Sequence, residues 1–493
     1  MRLLDVASVC CVMLCAVASA APVRAASDSP LEQRIHRIEG GLLPPVIVRG
    51  EAVVMPSLSQ RMTELRVPGV SIAVVHQGRL EWARGFGVVR IGGPPVSPDT
   101  LFQAASISKP ITALAVLRLV EQGKLDLDAD ANTYLKSWKI PSSELTARNK
   151  VTLRRLLTHT GGMTVHGFAG YVPGAPVPNT LQILNGTAPA NSAAIRVDAE
   201  PGTLQRYSGG GYVVMQQLLV DVTGRPFDEL MAQLVLRPLG MTRSTFAQPL
   251  PANQLEQAAV PYEETGEPVE GGAHVYPEMA PAGLWTTPSD LARYIIAIQQ
   301  SLKGASPQIL SAPAVRAMLT RQPGEPAASG LGPQLGGSTQ RRYFMHGGTN
   351  AGFRCRFFAY DDGDGVVVMT NGDNGGRLID EIVRAVAHEY GWPDFQPVER
   401  VIVAVDPKVF AGYVGTYQLN ASETLSVTLE GNRLFAQVSG LEKRALLAMS
   451  EREFFIKEFD ERIVFSTDAN GRATGITQFH FGTQDVSPRV DAK

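Results

Sequence analysis

Residues 70–123 constrain the fold more tightly than any other stretch of this chain. An apolar run over 70–75, a hairpin turn and a second strand lead through Thr100-Leu101-Phe102-Gln103-Ala104-Ala105 into a segment where Ile111, Leu114, Ala115, Leu117 and Val120 recur at helical spacing. Strands and helix so close in sequence predict a mixed α/β domain. The helix is expected to start at Ser106, with Pro110 in its first turn, where a missing N–H costs little, and Gly123 at its stop.

Ser106 and Lys109 lie one turn apart and can meet on one face of that helix. A helix N-terminus turns unpaired N–H groups and a positive dipole end toward negative charge. A serine placed there can attack a carbonyl while the ammonium stabilises its alkoxide or takes part in proton transfer. Read alone, the pair is more simply an amphipathic helix with a serine cap, but two further motifs weigh against that. Tyr207-Ser208-Gly209-Gly210-Gly211 forms a turn and glycine run ahead of an apolar stretch, 213–222, that reads as a helix. The glycines allow close backbone approach and Tyr207 can project its hydroxyl into a cleft, where a nearby ammonium would lower its pKa and make it a general base. His346-Gly347-Gly348-Thr349 leads into a strand-like run ending near Tyr360. Paired glycines on a strand edge admit a substrate, and the N–H of Thr349 with that of Ser106 would form a two-donor oxyanion site. His346 is read either as a donor to substrate or as a neutral, hydrogen-bonded spacer. Together these residues predict an acyl-transferring serine hydrolase.

Five segments carry a family resemblance: Ser106-Ile107-Ser108-Lys109, Leu153-Arg154-Arg155-Leu156-Leu157-Thr158-His159-Thr160-Gly161-Gly162, Tyr207-Ser208-Gly209, Ala282-Gly283-Leu284-Trp285-Thr286-Thr287-Pro288-Ser289-Asp290-Leu291 and His346-Gly347-Gly348. In order and spacing, over roughly residues 50–390, they resemble the serine β-lactamase and penicillin-binding-protein superfamily, in the branch of class C β-lactamases, family-VIII carboxylesterases and D-aminopeptidases. The resemblance implies an antiparallel sheet flanked by helices with an α-helical subdomain. It implies Ser106 as nucleophile, Lys109 as its cationic partner and Tyr207 as base.

Two departures shape the expected substrate. Gly209 stands where class C enzymes carry an Asn that positions the substrate amide. His346-Gly347-Gly348 stands where they carry Lys-Thr-Gly, so a permanent cation for a β-lactam carboxylate gives way to a group only partly charged near neutral pH. Carboxylic esters or D-amino-acid amides and peptides are expected, with weak β-lactamase activity at best. The same departures keep a rival reading open: a catalytically silent or slowly acylating penicillin- or peptidoglycan-binding protein.

Other features take structural readings. His159 and its glycines follow a short helical run and look like a cation and a stop at a helix end. Thr287-Pro288-Ser289-Asp290 is helix-start chemistry. Asp361-Asp362-Gly363-Asp364-Gly365 lacks the spacing of a calcium loop and reads as a hairpin turn. With no zinc spacing and no phosphate-cradling loop, catalysis without metal or organic cofactor is expected. A net charge of -2 argues against nucleic acid or an anionic membrane surface as partner and leaves a small-molecule substrate, while 493 residues suffice for two cores.

Arg2, an apolar stretch over 6–17 and Ala18-Ser19-Ala20 predict a signal peptide within residues 1–26, cleaved near Ala20 or Ala26, and export to a bacterial periplasm or medium. Cys10, Cys11 and Cys15 leave with it, so only Cys355 would remain and no internal disulfide forms. No later segment is long and apolar enough to span a bilayer. The hydrolase domain is expected over 45–392. Within it, the Gly- and Pro-rich stretch 163–197 reads as an extended loop that either walls the acyl pocket, through Tyr171 or Phe168, or faces solvent. A linker follows over 393–404. Alternating runs at 425–429, 434–438, 463–465 and 476–479, with turns at Gly431-Asn432 and Asn470-Gly471, then predict a small antiparallel β-barrel-like domain over 405–488 that resembles a lipocalin-like appendage. Asn420-Ala421-Ser422 matches a glycosylation acceptor by coincidence.

Overall fold

The computed structural model describes residues 29–305, 309–322, 329–420, 423–480 and 483–490. The expected leader, its three cysteines and Ala421-Ser422 lie outside them.

Six antiparallel strands build the central sheet: β1 (Gly69–His76), β2 (Arg79–Gly87), β3 (Gln334–Gly337), β4 (Arg342–Asn350), β5 (Phe353–Tyr360) and β6 (Gly365–Thr370), in the order β2-β1-β6-β5-β4-β3. Both faces of β1 are covered, which explains its unbroken apolar run. Val70, Ile72 and Val74 pack with Phe358, Val366 and Val368 against helix α4 (Gly375–Glu389), while Ala73 and Val75 face the larger core. The β1–β2 hairpin turns through Gln77 and Gly78, both at positive φ. Asp361, Asp362 and Asp364 lie in the β5–β6 turn, as the hairpin reading expected, and pair with Arg342, Arg341 and His76.

The larger core holds a helical layer around α1 (Ser108–Glu121), α2 (Gly209–Thr223) and α3 (Pro288–Leu302). From Ile111 to Leu117 every residue but Thr112 is a buried apolar one, and Thr112 is buried too, so α1 runs through the core rather than over it. The Thr287 hydroxyl accepts the Asp290 N–H at 3.2 Å, starting α3 as its sequence predicts.

Eight antiparallel strands in sequence order, from Gly415–Gln418 to Thr483–Pro488, form a nearly closed barrel, with Tyr417 bridging to Arg489 across the gap. Both expected hairpins are present, Thr424–Glu430 with Arg433–Val438 and Glu461–Thr467 with Ala473–His480. Val46–Val48 pairs in parallel with Val398–Arg400, and Val46 and Val48 pack on Phe455 of the barrel.

Two local expectations are corrected. The glycine run is not a turn before a helix: α2 starts at Gly209, capped by Ser208, whose hydroxyl accepts the Gly211 N–H at 3.0 Å. Propensity argues against three glycines in a first turn, but tertiary packing overrides it. The stretch 163–197 is also not all loop, because Thr180–Asn185 is helical, started by a reciprocal Asn179–Gln182 capping box.

Candidate active site

Ser106 sits in a short 3₁₀ turn, Ala105–Ile107, that runs directly into α1. Ala105, just before it, is held at φ 49°, a conformation unusual for a residue with a side chain. The surroundings over-determine that turn. The Ala104 carbonyl accepts the Cys355 thiol at 3.0 Å, and the Ala104 N–H donates to Leu284 O at 2.8 Å. A Cβ on Gly348 would stand 2.2 Å from the same carbonyl, so glycine there is what lets β4 lie against the turn. At the end of β4, the Asn350 amide donates to Gln103 Oε1 at 2.7 Å and to Ala282 O at 3.2 Å.

Lys109 is buried, with Nζ 3.0 Å from Ser106 Oγ and 3.0 Å from Pro281 O. A carbonyl only accepts, so one N–H points at Pro281. Burial holds Lys109 down to about 7, which leaves much of it neutral near physiological pH, with a lone pair free for the Ser106 hydroxyl. Its Nζ also lies 4.8 Å from the centre of the Tyr207 ring.

Tyr207 does not follow the sequence expectation. Burial pushes its phenol up to about 12, and the Ser106 hydroxyl beside it opposes that rise only in part. Desolvation outweighs the neighbouring amine, which carries only part of its charge, so the phenol keeps its proton. His346 is likewise neutral rather than partly charged. Burial and the nearby Lys109 hold it down to about 4, and its Nδ1 donates to Gly347 O at 2.6 Å, leaving Nε2 as an acceptor. The spacer reading of His346 fits this geometry better than that of a donor to substrate.

These groups line one cavity of about 800 Å³, together with Phe168, Gly209, Gly347, Gly348 and Thr349. A larger cavity of about 1180 Å³, lined by residues such as Leu58, Met62 and Phe86, contains none of them; chemistry rather than size selects the smaller one. Of the two aromatic residues expected in the wall, Phe168 lines the cavity, whereas Tyr171 is buried, its hydroxyl accepting the Asn191 N–H at 3.0 Å. A Cβ on Gly209 would fall 2.9 Å from the Phe168 ring, so the space an amide-positioning side chain would need is already filled.

Several groups here escaped the sequence reading. His166 is exposed at the cavity with its ring 5.0 Å from that of Tyr207. Arg354 and Arg356 also line the cavity, because the antiparallel register sets them opposite Thr349 and Gly347. Each is paired with a carboxylate, Arg354 with Asp373 at 2.7 Å and Arg356 with Asp380. His159 is not a cation at a helix end either: burial keeps it well below its ordinary pKa, and its Nδ1 accepts the Ser208 N–H at 3.1 Å. The register of β4 and β5 and the fold-back of 159–164 onto 206–208 are tertiary, so no local pattern announced them.

Residues 57–389 match the β-lactamase family, and residues 399–490 match a domain of unknown function, DUF3471. The chain is similar to esterase EstB of Burkholderia gladioli, 32% identical over 42% of this chain and 53% of the esterase. It is also similar to penicillin-binding protein 4* of Bacillus subtilis, 23% identical over 80% of this chain and 89% of the relative. The chain spans about half the length of the esterase and of several other curated relatives. Among solved structures, the octameric penicillin-binding protein homologue from Pyrococcus abyssi aligns over 87% of this chain and 98% of its own with a TM-score of 0.59 at 22% identity, a likeness of fold.

Proposed function

The chain belongs to the β-lactamase family of serine hydrolases, and on that premise we propose that it cleaves carboxylic esters or D-amino-acid amides through an acyl-enzyme on Ser106. The observation that carries this reading is the 3.0 Å contact between Ser106 Oγ and an amine whose burial keeps it partly neutral. In the proposed path the Ser106 oxygen bonds to the substrate carbonyl carbon as its proton passes to Lys109 Nζ. The N–H groups of Ser106 and Thr349 hold the oxyanion. Collapse breaks the bond to the leaving group, which takes a proton from Lys109 or from the Tyr207 phenol, itself reprotonated by Lys109. Water then attacks the acyl-enzyme by the same route in reverse.

The cavity favours neutral esters within this class. His346 is uncharged, and the Arg354 and Arg356 guanidiniums are already balanced by Asp373 and Asp380, so neither arginine is a surplus cation for a β-lactam carboxylate. Phe168 fills the position beside Gly209 with an apolar ring. Export with loss of a leader ending near Ala20 or Ala26 belongs to the same proposal; N-terminal sequencing of the protein recovered from a periplasmic fraction tests it.

Hydrolysis of a short-chain p-nitrophenyl ester tests the main reading, comparing the protein with its Ser106→Ala variant and checking the folding of both by circular dichroism. Turnover lost only in the variant is the expected result. Equal turnover by both would refute Ser106 as nucleophile, and none by either would favour a narrow peptidase, the slowly acylating protein or the silent binding protein.

A further inference from the structure

His159 has no part in the proposed proton path, yet the structure folds its whole backbone unit and ring around Tyr207. Its carbonyl accepts the Arg206 N–H at 2.9 Å, and its Nδ1 accepts the Ser208 N–H at 3.1 Å. The residues immediately before and after Tyr207 are therefore both held by one side chain and its own main chain. The His159 ring lies against the Tyr207 ring with centroids 4.3 Å apart at 33°, and its other close aromatic neighbour is Tyr212, at 5.4 Å.

This arrangement comes at a cost, which argues against incidental packing. His159 is held at φ 61°, in the left-handed region, and is buried. Because Nδ1 accepts, the ring proton is on Nε2, and that N–H finds no hydrogen-bond partner among the described residues. Its neighbours Thr158 and Thr160 are tied to one another by a hydroxyl contact of 2.9 Å, fixing the turn from which the ring projects. The Ser208 hydroxyl donates back to Thr164 O at 2.8 Å, closing the segment 159–164 onto 206–208 from the far side.

We propose that His159 is a positioning residue: a two-point backbone clamp and ring platform that sets the Tyr207 hydroxyl against Ser106 and Lys109. The inference rests on the proposed role of Tyr207 in the proton path. Displacing a reacting group by about 1 Å can cost about 10²-fold in rate, so loosening the clamp is expected to lower kcat with little change in KM.

A double-mutant cycle on the full chain tests it, with kcat and KM for an unactivated alkyl ester, whose alkoxide leaving group must take a proton, as readouts. His159→Phe keeps a ring but removes the acceptor for the Ser208 N–H. His159→Asn restores an acceptor near Nδ1 and suits a left-handed backbone. In the native background, His159→Phe is expected to reduce kcat about 10- to 100-fold with KM little changed, and His159→Asn to recover most of the loss. In a Tyr207→Phe background the same His159→Phe change is expected to cost less than about threefold, because the hydroxyl it positions is gone. If His159→Phe does not fold, by circular dichroism and thermal unfolding, His159→Ala takes its place in the cycle. Equal losses in both backgrounds would make His159 a structural residue and overturn the inference while leaving the proposed hydrolysis standing. No loss from Tyr207→Phe alone would overturn both the inference and the role of Tyr207.

Discussion

The cleft and the barrel of this molecule spend their buried volume in opposite ways. Around Ser106 the interior holds ionisable groups, Lys109, His159, His346 and Glu278, each shifted toward its neutral form by burial. Ala105, His159 and Val165 adopt positive φ without being glycine. The barrel core is instead apolar and aromatic, from Phe410 to Ile476, with Tyr413 stacked on Phe465 at 4.3 Å. Its buried phenols are satisfied: Tyr413 donates to Glu451 O at 2.9 Å and Tyr417 to Tyr413 O at 2.7 Å. Buried ionisable groups with shifted charge collect at the cleft, as a reactive site requires, whereas apolar and aromatic packing fills the barrel core.

The contrast can be broken at several points. Tyr207→Phe removes only a hydroxyl and is expected to slow acylation about 10²- to 10⁴-fold with thermal stability little changed. A large stability loss with acylation intact would move Tyr207 into the structural half. Phe454, wholly buried in the barrel, should behave in the opposite way. Phe454→Ala is expected to cost about 3–5 kcal/mol in denaturant unfolding of the barrel while kcat at 25 °C is unchanged. A parallel fall in kcat would show that the barrel reaches the chemistry.

Glu278 differs from anything in the barrel core: its carboxyl is fully buried, and burial raises it to about 7 against the opposing pull of its own N–H and the Tyr171 hydroxyl. A raised acid favours the folded state below its unfolded pKa of about 4.5 and loses that contribution as pH climbs to about 7. Glu278→Gln, which cannot ionise, is therefore expected to gain stability over the native chain as pH rises through that window, by about 1–3 kcal/mol at pH 8. A gain independent of pH would contradict the burial argument. The smallest effect is the slope of the pH profile. With Lys109 held to about 7, kcat/KM is expected to fall about tenfold per pH unit well below 7 and to level off above it. A limb centred near 10 would mean that Lys109 reacts as an ordinary ammonium.

The parts of the fold legible in the sequence were those whose signals are local. The apolar period of 111–120, the capping Thr287 and the turn residues Gly431 and Gly471 each act within a few positions, and each appears where expected. The barrel hairpins were readable for the same reason. Tertiary packing decided the remainder. The helix α2 opens at Gly209 because Ser208, folded back onto Thr164, caps it, and Phe168 leaves no room there for a Cβ. Tyr207 keeps its proton because burial, which no motif encodes, outweighs the neighbouring amine. The clamp of His159 on residues 206 and 208 crosses nearly fifty positions, so the sequence showed only a histidine after a short helix.

The most direct test of the central claim is acid-quench mass spectrometry of the protein mixed with a p-nitrophenyl ester, followed by peptide mapping. An added acyl group is expected on the peptide carrying Ser106, at an oxygen that Ser106→Ala removes. Steady turnover with no acylated peptide, or an acyl group carried on another residue, would contradict it.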